Sequence, residues 1–241
     1  MLTRREWLKL VSTIALLLGI GACRPEQTTV STAEMETDTM KLPEPKRDGT
    51  FPLEKAISQR RSVRGYAPDA VSLEDVSQLL WAAQGITHDN VFRAAPSAGA
   101  TYPLEMYLVA GNVAGLLSGI YKYDLQGHAL TLLSDGDRRA ELAKTTRGQS
   151  WVAEAALSII ITAVYERTAR RYGELGERYV HMEAGHASQN IYLQAAALGL
   201  GTVAVGAFDG AGIIRLLWLL PSEEPLYIMP VGKPAQGDKV D

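Results

Sequence analysis

Residues 185–208, GHASQNIYLQAAALGLGTVAVGAF, decide the fold, because they join a long apolar helix to an apolar strand through closely spaced glycines. Strong helix formers fill the first part, and little polar surface remains after Gln194. We therefore expect a helix over residues 177–198 that is buried nearly all round, at the centre of the domain. Gly199 and Gly201 then end the helix and release the chain in a new direction.

The strand predicted after these glycines has small apolar side chains, including Val203, Val205 and Ala207. Gly206 interrupts it. A glycine inside a strand pattern often marks a bulge or a place where a ligand approaches the backbone. Core packing alone also explains one such glycine, so a ligand site here requires support from other residues.

The composition describes one sizeable globular domain without a nucleic-acid partner. The 241 residues are 46% hydrophobic and 21% charged, and the formal net charge is −3. Without residues 1–22 the chain keeps 21 basic and 26 acidic groups, so it lacks the positive field that holds nucleic acid. The single cysteine, Cys23, excludes an internal disulfide and any cysteine-rich zinc or iron–sulfur site.

The first residues predict an export signal. Two arginines in residues 3–9 (TRREWLK) precede an apolar run over residues 10–22, which is too short to span a bilayer but has the length of a signal-peptide core. The arginine pair resembles a twin-arginine (Tat) signal. Residues 20–23 (IGAC) resemble a bacterial lipobox, in which the cysteine becomes lipidated. A buried apolar segment with a chance cysteine is the alternative.

We therefore predict three segments. Residues 1–22 form the signal peptide, residues 23–52 a flexible tether from lipidated Cys23, and residues 53–241 the folded domain. This organisation places the protein in the cell envelope, outside the cytoplasm and lipid-anchored to a membrane. Proteins exported by the Tat route are already folded, commonly with a cofactor loaded, so a cofactor is expected.

The domain mixes helices with strands and hairpins, which predicts an α+β layered structure. Helices are expected at residues 53–59, 72–84, 137–146 and 213–220, and strands at residues 104–110, 120–123, 129–133 and 225–231. Residues 86–96 are expected to form a loop. The apolar run over residues 155–164 (AALSIIITAV) predicts a strand that is buried on both faces.

Residues 60–64 (RRSVR) are the first candidate for chemistry. In an extended chain Arg60, Ser62 and Arg64 share one face and Arg61 points away. Two guanidinium groups and a hydroxyl on one face suit a phosphate or an electron-rich ring edge, because arginine donates in a planar fork and keeps its charge. A short basic segment of this kind is also compatible with a solvated surface.

A turn rich in small residues is the second candidate. Pro96, Ser97, Ala98 and Gly99 precede a predicted strand, and such a turn lets a flat ligand rest against backbone amides. Taken alone, this turn is a weak signal.

In this order the pieces resemble the FMN-dependent nitroreductase superfamily, and its SagB/ThcOx-type dehydrogenase branch in particular. Three spaced motifs carry the resemblance: RRSVR at residues 60–64, PSAGATYP at residues 96–103, and QNIYLQAAALGLG at residues 189–201. The resemblance extends over about residues 53–234. It implies an α/β/α sandwich with a central, mostly antiparallel sheet, and a homodimer with FMN at the subunit interface.

The resemblance also implies roles for individual residues. Arg60 and Ser62, with Arg61 beside them, meet the phosphate and ribityl part of FMN, and Arg64 lies near the N1 and O2 edge of the ring, where it stabilises the reduced anion. The turn at residues 96–99 contacts the flavin from the partner subunit. The remaining implied contacts are backbone amides near flavin N5 and a C-terminal phosphate ligand, namely Val205, Gly206, Ala207, and either Lys233 or Lys239.

The resemblance predicts an oxidoreductase that moves a hydride between a donor and a small organic substrate. The donor or acceptor is expected to be a quinone, a redox protein or the substrate itself, because nicotinamide cofactors are scarce outside the cytoplasm. Two alternatives stay open: dehydrogenation of an azoline or related C–N bond in a peptide, and a flavin-free binding lipoprotein.

Metal and hydrolase chemistry have little support in the sequence. His181 and His186 are five residues apart, so a helix places them about 140° apart, unlike the four-residue spacing of a helical zinc site. No GxSxG elbow and no catalytic cysteine are present. We therefore expect no metal ligand set.

Overall fold

The computed structural model describes residues 39–235, and its centre is a seven-stranded sheet. The strands of this sheet are β1 (Thr39–Lys41), β5 (Leu104–Ala110), β7 (Gly119–Asp124), β8 (Ala129–Asp135), β9 (Leu157–Ala163), β10 (Gly201–Thr202) and β11 (Glu224–Gly232). Their order is β1-β8-β7-β5-β9-β11-β10. All six neighbouring pairs are antiparallel.

Helices and two small sheets complete the described chain. The helices are α1 (Leu53–Gln59), α2 (Leu73–Gln84), α3 (Arg139–Lys144), α4 (Glu166–Tyr172), α5 (Gly176–Ala197) and α6 (Gly210–Leu217). The small sheets pair β2 (Val71–Ser72) with β6 (Val113–Ala114), and β3 (Ile86–His88) with β4 (Phe92–Arg93). Ser72 caps α2 by accepting a hydrogen bond from the Asp75 amide at 3.1 Å, which fixes where the helix begins.

Strand β9 shows why the domain has three layers. All its residues are buried, as the apolar run predicted. Ile159 and Ile161 face the core that contains α2 and α5, whereas Ile160 faces the second core, with Ile213 of α6. Because side chains alternate along a strand, one strand supplies both cores. The predicted α/β/α sandwich with an antiparallel sheet is confirmed.

Helix α5 is the long helix that the sequence predicted, but its burial differs from the prediction. Val180, Ala184, Ala187, Ile191 and Ala195 are buried along one stripe that faces the sheet and α2. Residues on the other faces, including Leu193, are half-buried or exposed in this single chain. The expectation of a helix buried all round is therefore wrong for one chain, because the sheet covers only one side of α5.

Other boundaries also differ from the sequence prediction. Residues 86–96 contain β3 and β4 instead of forming only a loop. The strand expected through Gly206 covers only Gly201–Thr202, and beyond it Val205 makes one isolated bridge to Ile228. The pairing with β11 is interrupted between Thr202 and Val205, so the regular strand ends at Thr202.

The folded domain also begins before the predicted boundary at residue 53. Strand β1 pairs with β8, and Leu42 is buried at 2% exposure. Beyond it the Lys46 amide donates to Gln78 Oε1 at 2.8 Å, and Gln78 Nε2 donates to the Lys46 carbonyl at 3.0 Å. The latter part of the predicted tether, from Thr39 onward, is therefore packed on the domain, since a proline-rich segment can still bury one apolar side chain and satisfy its backbone.

The predicted signal peptide and Cys23 lie outside the described residues, as does Lys239. Within residues 39–235, none of the helices combines the length and the apolar character needed to cross a bilayer.

Candidate functional site

The arginine-rich segment runs beside β10 in an extended conformation. The Arg60 amide closes α1 by donating to the Ala56 carbonyl at 2.9 Å. Ser62 then forms a parallel bridge with Thr202, and the Val63 amide donates to the Thr202 carbonyl at 3.0 Å. Gly201 permits this approach, because a Cβ there would lie 2.7 Å from Val63 Cβ. A glycine at the end of the long helix therefore sets where the arginines lie.

Tyr192 of α5 joins the two predicted halves of this region. Its hydroxyl accepts a hydrogen bond from the Ala204 amide at 2.8 Å and lies 3.2 Å from Ser62 Oγ. The guanidinium carbon of Arg60 stands 5.1 Å from the centroid of its ring, in cation–π contact. Residues 60–62 and the segment after β10 are thus fixed to one side chain. The sequence prediction missed this role of Tyr192, because no local pattern shows which distant residues meet its hydroxyl group.

A cavity of about 300 Å³ opens beside Tyr192. It is lined by Gln59, Arg60, Arg61, Val63, Tyr192, Ala196, Gly199, Leu200, Thr202, Pro234 and Ala235. Arg61 does not point away from this cavity as the alternation predicted. Its guanidinium folds back and donates to the carbonyls of Ser58 and Arg60 at 2.9 and 2.8 Å. Two positive groups and an aromatic ring at one opening suit an anionic, ring-containing ligand.

Lys233 lies near this cavity but already has a partner. It follows the last strand, directly before the lining residue Pro234. Its Nζ donates to Asp69 Oδ1 at 3.0 Å, and both side chains are about half exposed. An exposed ion pair of this kind is weak, so it leaves the lysine able to exchange its partner for a phosphate.

The segment at residues 205–207 presents backbone at the surface. Val205 is buried and exchanges both backbone hydrogen bonds with Ile228, at 2.9 and 3.0 Å. Gly206 and Ala207 are exposed, and the Ala207 carbonyl accepts from Gln149 Nε2 at 3.1 Å. Within the described residues, the amides of Gly206 and Ala207 make no hydrogen bond. They are therefore available donors beside the Tyr192 region.

The turn at residues 96–99 is held by its neighbours on α4. Ser97 Oγ accepts from the Tyr102 amide at 2.9 Å, and Arg171 donates to the Gly99 carbonyl at 3.0 Å. Gly99 has φ = 59° and a Cβ there would lie 2.7 Å from the Tyr172 hydroxyl, so the position requires glycine. Pro96 and Gly99 are exposed, and Ser97 and Ala98 are half-buried.

Beneath this turn lies a buried carboxyl group that the sequence prediction did not assign to the site. Glu183 of α5 is only 3% exposed. Burial raises its pKa to about 7, although the nearby Ser97 hydroxyl, the Arg93 charge and the Gln84 amide oppose this shift. Glu183 Oε1 and Gln84 Nε2 nevertheless lack a partner in hydrogen-bond geometry. The turn therefore rests on polar groups that are only partly satisfied.

The structure does not bring all the predicted residues together within one chain. Glu183 and Tyr192 are nine residues apart on α5, a rise of about 13 Å along the helix axis. The turn at residues 96–99 lies at the level of Glu183, whereas Arg60, Ser62 and the Ala204 amide contact Tyr192, and residues 205–207 follow Ala204 directly. Arg64 is exposed and makes no hydrogen bond or ion pair within the described part of the chain.

The comparisons with known proteins agree with the geometry. Residues 57–233 match the model of the Nitroreductase family. The chain is 45% identical over 196 residues to a Methanocaldococcus jannaschii protein named for the nitroreductases, MJ1384, covering 81% of this chain and 98% of that protein. It is similar to a Desulfovibrio desulfuricans nitroreductase-type structure in complex with FMN, with 27% identity and a TM-score of 0.57, over 79% of this chain and 90% of the other.

A second relative is named for trifolitoxin processing. The chain is 31% identical over 119 residues to the trifolitoxin-processing protein TfxB of Rhizobium leguminosarum. The match covers 47% of this chain and 32% of that protein.

Proposed function

Since this chain belongs to the nitroreductase family, a family of flavin oxidoreductases whose cofactor is FMN, we propose that it transfers a hydride between a donor and a small organic substrate. The observation that carries the proposal is the convergence on Tyr192. Arg60, Ser62 and the Ala204 amide all contact this one side chain. A phosphate-binding segment and a backbone segment with free amides are thereby held in one arrangement before any ligand arrives.

The residues around this convergence fit FMN. Arg60 and Arg61 offer fixed positive charge to the phosphate, and Ser62 offers a hydroxyl to the ribityl chain. The amides of Gly206 and Ala207 suit the polar edge of the ring, and Lys233 is our choice for the C-terminal phosphate ligand. Bound FMN supplies the hydride chemistry, and the chain positions the ring, while Arg64 offers a cation to the reduced ring.

We propose that the turn at residues 96–99 contacts FMN held by a second copy of the chain. The support is geometric: this turn and the Tyr192 region occupy different levels of α5. Half-buried Leu193 and Ala197 leave apolar surface on the faces of α5 that the sheet does not cover. Nitroreductases are commonly homodimers, and a homodimer that covers α5 would complete each site with the partner's turn.

The visible absorption spectrum of the purified protein tests the proposal. We expect a yellow protein with flavin bands, and loss of those bands in the Arg60→Ala, Ser62→Ala variant. Lys41→Ala is the matched control, because Lys41 is an exposed cation on β1, at the opposite edge of the sheet from β10. A folded, colourless wild-type protein that also refuses added FMN would overturn the oxidoreductase proposal and favour a flavin-free binding lipoprotein.

The electron partner is proposed to be a quinone or a redox protein instead of NAD(P)H. This follows from the predicted export signal and the scarcity of nicotinamide cofactors outside the cytoplasm. Stopped-flow reduction of the bound flavin, with NADH, NADPH and a soluble quinol compared at equal concentration, checks it. Rapid reduction by a nicotinamide would contradict this assignment without affecting the flavin site.

A peptide substrate is the second candidate function. The similarity to a trifolitoxin-processing protein supports it, as does the resemblance of residues 96–103 to the SagB/ThcOx motif. The reaction would remove two hydrogens from an azoline ring or related C–N bond and pass them to the flavin. Mass spectrometry of an azoline-containing peptide incubated with the oxidised protein would show a loss of 2 Da.

Anchoring through Cys23 remains our proposal for the first segment. Its support is the twin arginine, the apolar run and the lipobox-like IGAC. The full-length protein should sediment with membranes, and Cys23→Ser should release it or leave its signal uncleaved. Equal amounts of both proteins in the soluble fraction would contradict the anchor.

A further inference from the structure

The buried carboxyl group of Glu183 lies in contact with the turn proposed to meet the flavin. Ser97 Oγ accepts from the Tyr102 amide, so its own proton is free to be donated to the carboxyl. Ser97 is thereby the connection between Glu183 and the exposed end of the turn. This hydroxyl gives a change at Glu183 a direct route to the turn.

The surroundings of Glu183 allow it to carry or lose its charge. Two buried polar atoms there, Glu183 Oε1 and Gln84 Nε2, have no hydrogen-bond partner among the described residues, and a buried polar atom of this kind calls for an explanation. Arg93 of β4 donates to Gln84 Oε1 at 2.8 Å and is itself substantially buried. Three further titratable or charged groups interact with Arg93 and so face this cluster: Glu105, Arg167 and Tyr102.

From this geometry we propose that Glu183 is a positioning residue for the flavin site, which fixes Ser97 when ionised and loosens the turn when protonated. The inference rests on the proposed function, because the turn must contact FMN for the effect to be measured. A hydroxyl that donates to a carboxylate makes a stronger bond than one that donates to a neutral acid. FMN affinity should therefore increase as Glu183 loses its proton.

Flavin affinity against pH is the measurement. The full-length protein is stripped of flavin, and FMN is titrated back at pH 6 and pH 8 with flavin fluorescence as the readout, for wild type, Glu183→Gln and Ser97→Ala. The phosphate of FMN titrates in the same range, but its contribution cancels when variants are compared with wild type. We expect the gain in affinity from pH 6 to pH 8 to be about fivefold larger in wild type than in Glu183→Gln.

Ser97→Ala separates positioning from general stability. This variant keeps the buried carboxyl, so its melting temperature should still fall as the pH rises, as in wild type. Its FMN affinity should lose the part of the pH dependence that Glu183 supplies and keep only the part from the FMN phosphate, because the hydroxyl connection is gone. Retention of the full wild-type dependence in either variant would overturn the inference. A wild-type protein that binds no FMN at either pH would instead defeat the proposed function, and the inference with it.

Discussion

The two ends of the functional half of α5 differ in how well their polar groups are satisfied. At Tyr192 every polar contact has a partner: the hydroxyl serves both Ser62 and the Ala204 amide, and Arg60 covers the ring. About two and a half turns earlier on α5, Glu183 lies beside Gln84 of α2. Glu183 Oε1 and Gln84 Nε2 are both buried without a hydrogen-bond partner in the described chain. The contacts at Tyr192 hold the site in one conformation, whereas the contacts at Glu183 depend on whether its carboxyl group is ionised. One helix thus combines a fixed site with an adjustable one.

Removing the charge of Glu183 should produce the largest change in stability. The folded-state pKa of Glu183 is raised from 4.5 to about 7, so the folded state binds more protons than the unfolded state between these values. The free energy of unfolding therefore decreases as the pH rises from about 4.5 to 7. Glu183→Gln should remove this decrease and be more stable than wild type at pH 8, by on the order of 3 kcal/mol.

Urea denaturation at pH 5 and pH 8 checks this prediction. At pH 5 most Glu183 side chains are protonated, so the variant and wild type should have similar free energies of unfolding. A variant that is equally destabilised at both pH values would show that the glutamate has a packing role only. If the free energy of unfolding had the same pH dependence in both proteins, Glu183 would not be the titrating group, and the proposed difference between the Glu183 and Tyr192 regions of α5 would be wrong.

The contacts around Tyr192 can be changed by a substitution at Gly201. Gly201→Ala places a methyl group 2.7 Å from Val63 Cβ, which pushes residues 62–63 away from β10. Overpacking of this kind costs about 1–3 kcal/mol, and FMN affinity should decrease because Arg60 and Ser62 move. The matched control is Gly49→Ala, at an exposed position outside the proposed flavin site, where a new Cβ would meet nothing within 4 Å.

Thermal unfolding and flavin titration of the two glycine variants give the answer. The free energy of unfolding of the control should lie within about 0.5 kcal/mol of the wild-type value. If Gly201→Ala binds FMN like wild type, the contact between β10 and the arginine segment does not position the site.

Tyr192→Phe should have the smallest effect of the three. It keeps the ring beneath Arg60 but leaves the Ala204 amide without its partner, for a loss of about 1–2 kcal/mol in stability. FMN affinity should fall by less than in the Arg60→Ala, Ser62→Ala variant, because both phosphate-binding groups remain. Isothermal calorimetry with FMN measures the difference. An unchanged amide exchange rate at Ala204 would contradict the assigned hydrogen bond.

The sequence by itself determined the regular elements and the candidate motifs. The apolar run in β9 and the capped repeat of α2 required only local patterns, since side-chain alternation and helical spacing are properties of the chain itself. Residues 60–64 and 96–99 were identified by residue type. Segments with weak patterns, such as β3 and β4 or residues 39–47, were missed because their pairing depends on distant partners such as β8 and Gln78.

Only the tertiary structure showed the roles of Tyr192 and Glu183. Both lie on the helix that the sequence predicted, yet their meaning depends on which loops pack against them. Tyr192 meets Ser62 across 130 positions of the chain, and Glu183 meets residues of α2, β4 and the turn at residues 96–99. Whether a buried polar group is satisfied is decided by such long-range neighbours. No local pattern in the sequence encodes that outcome.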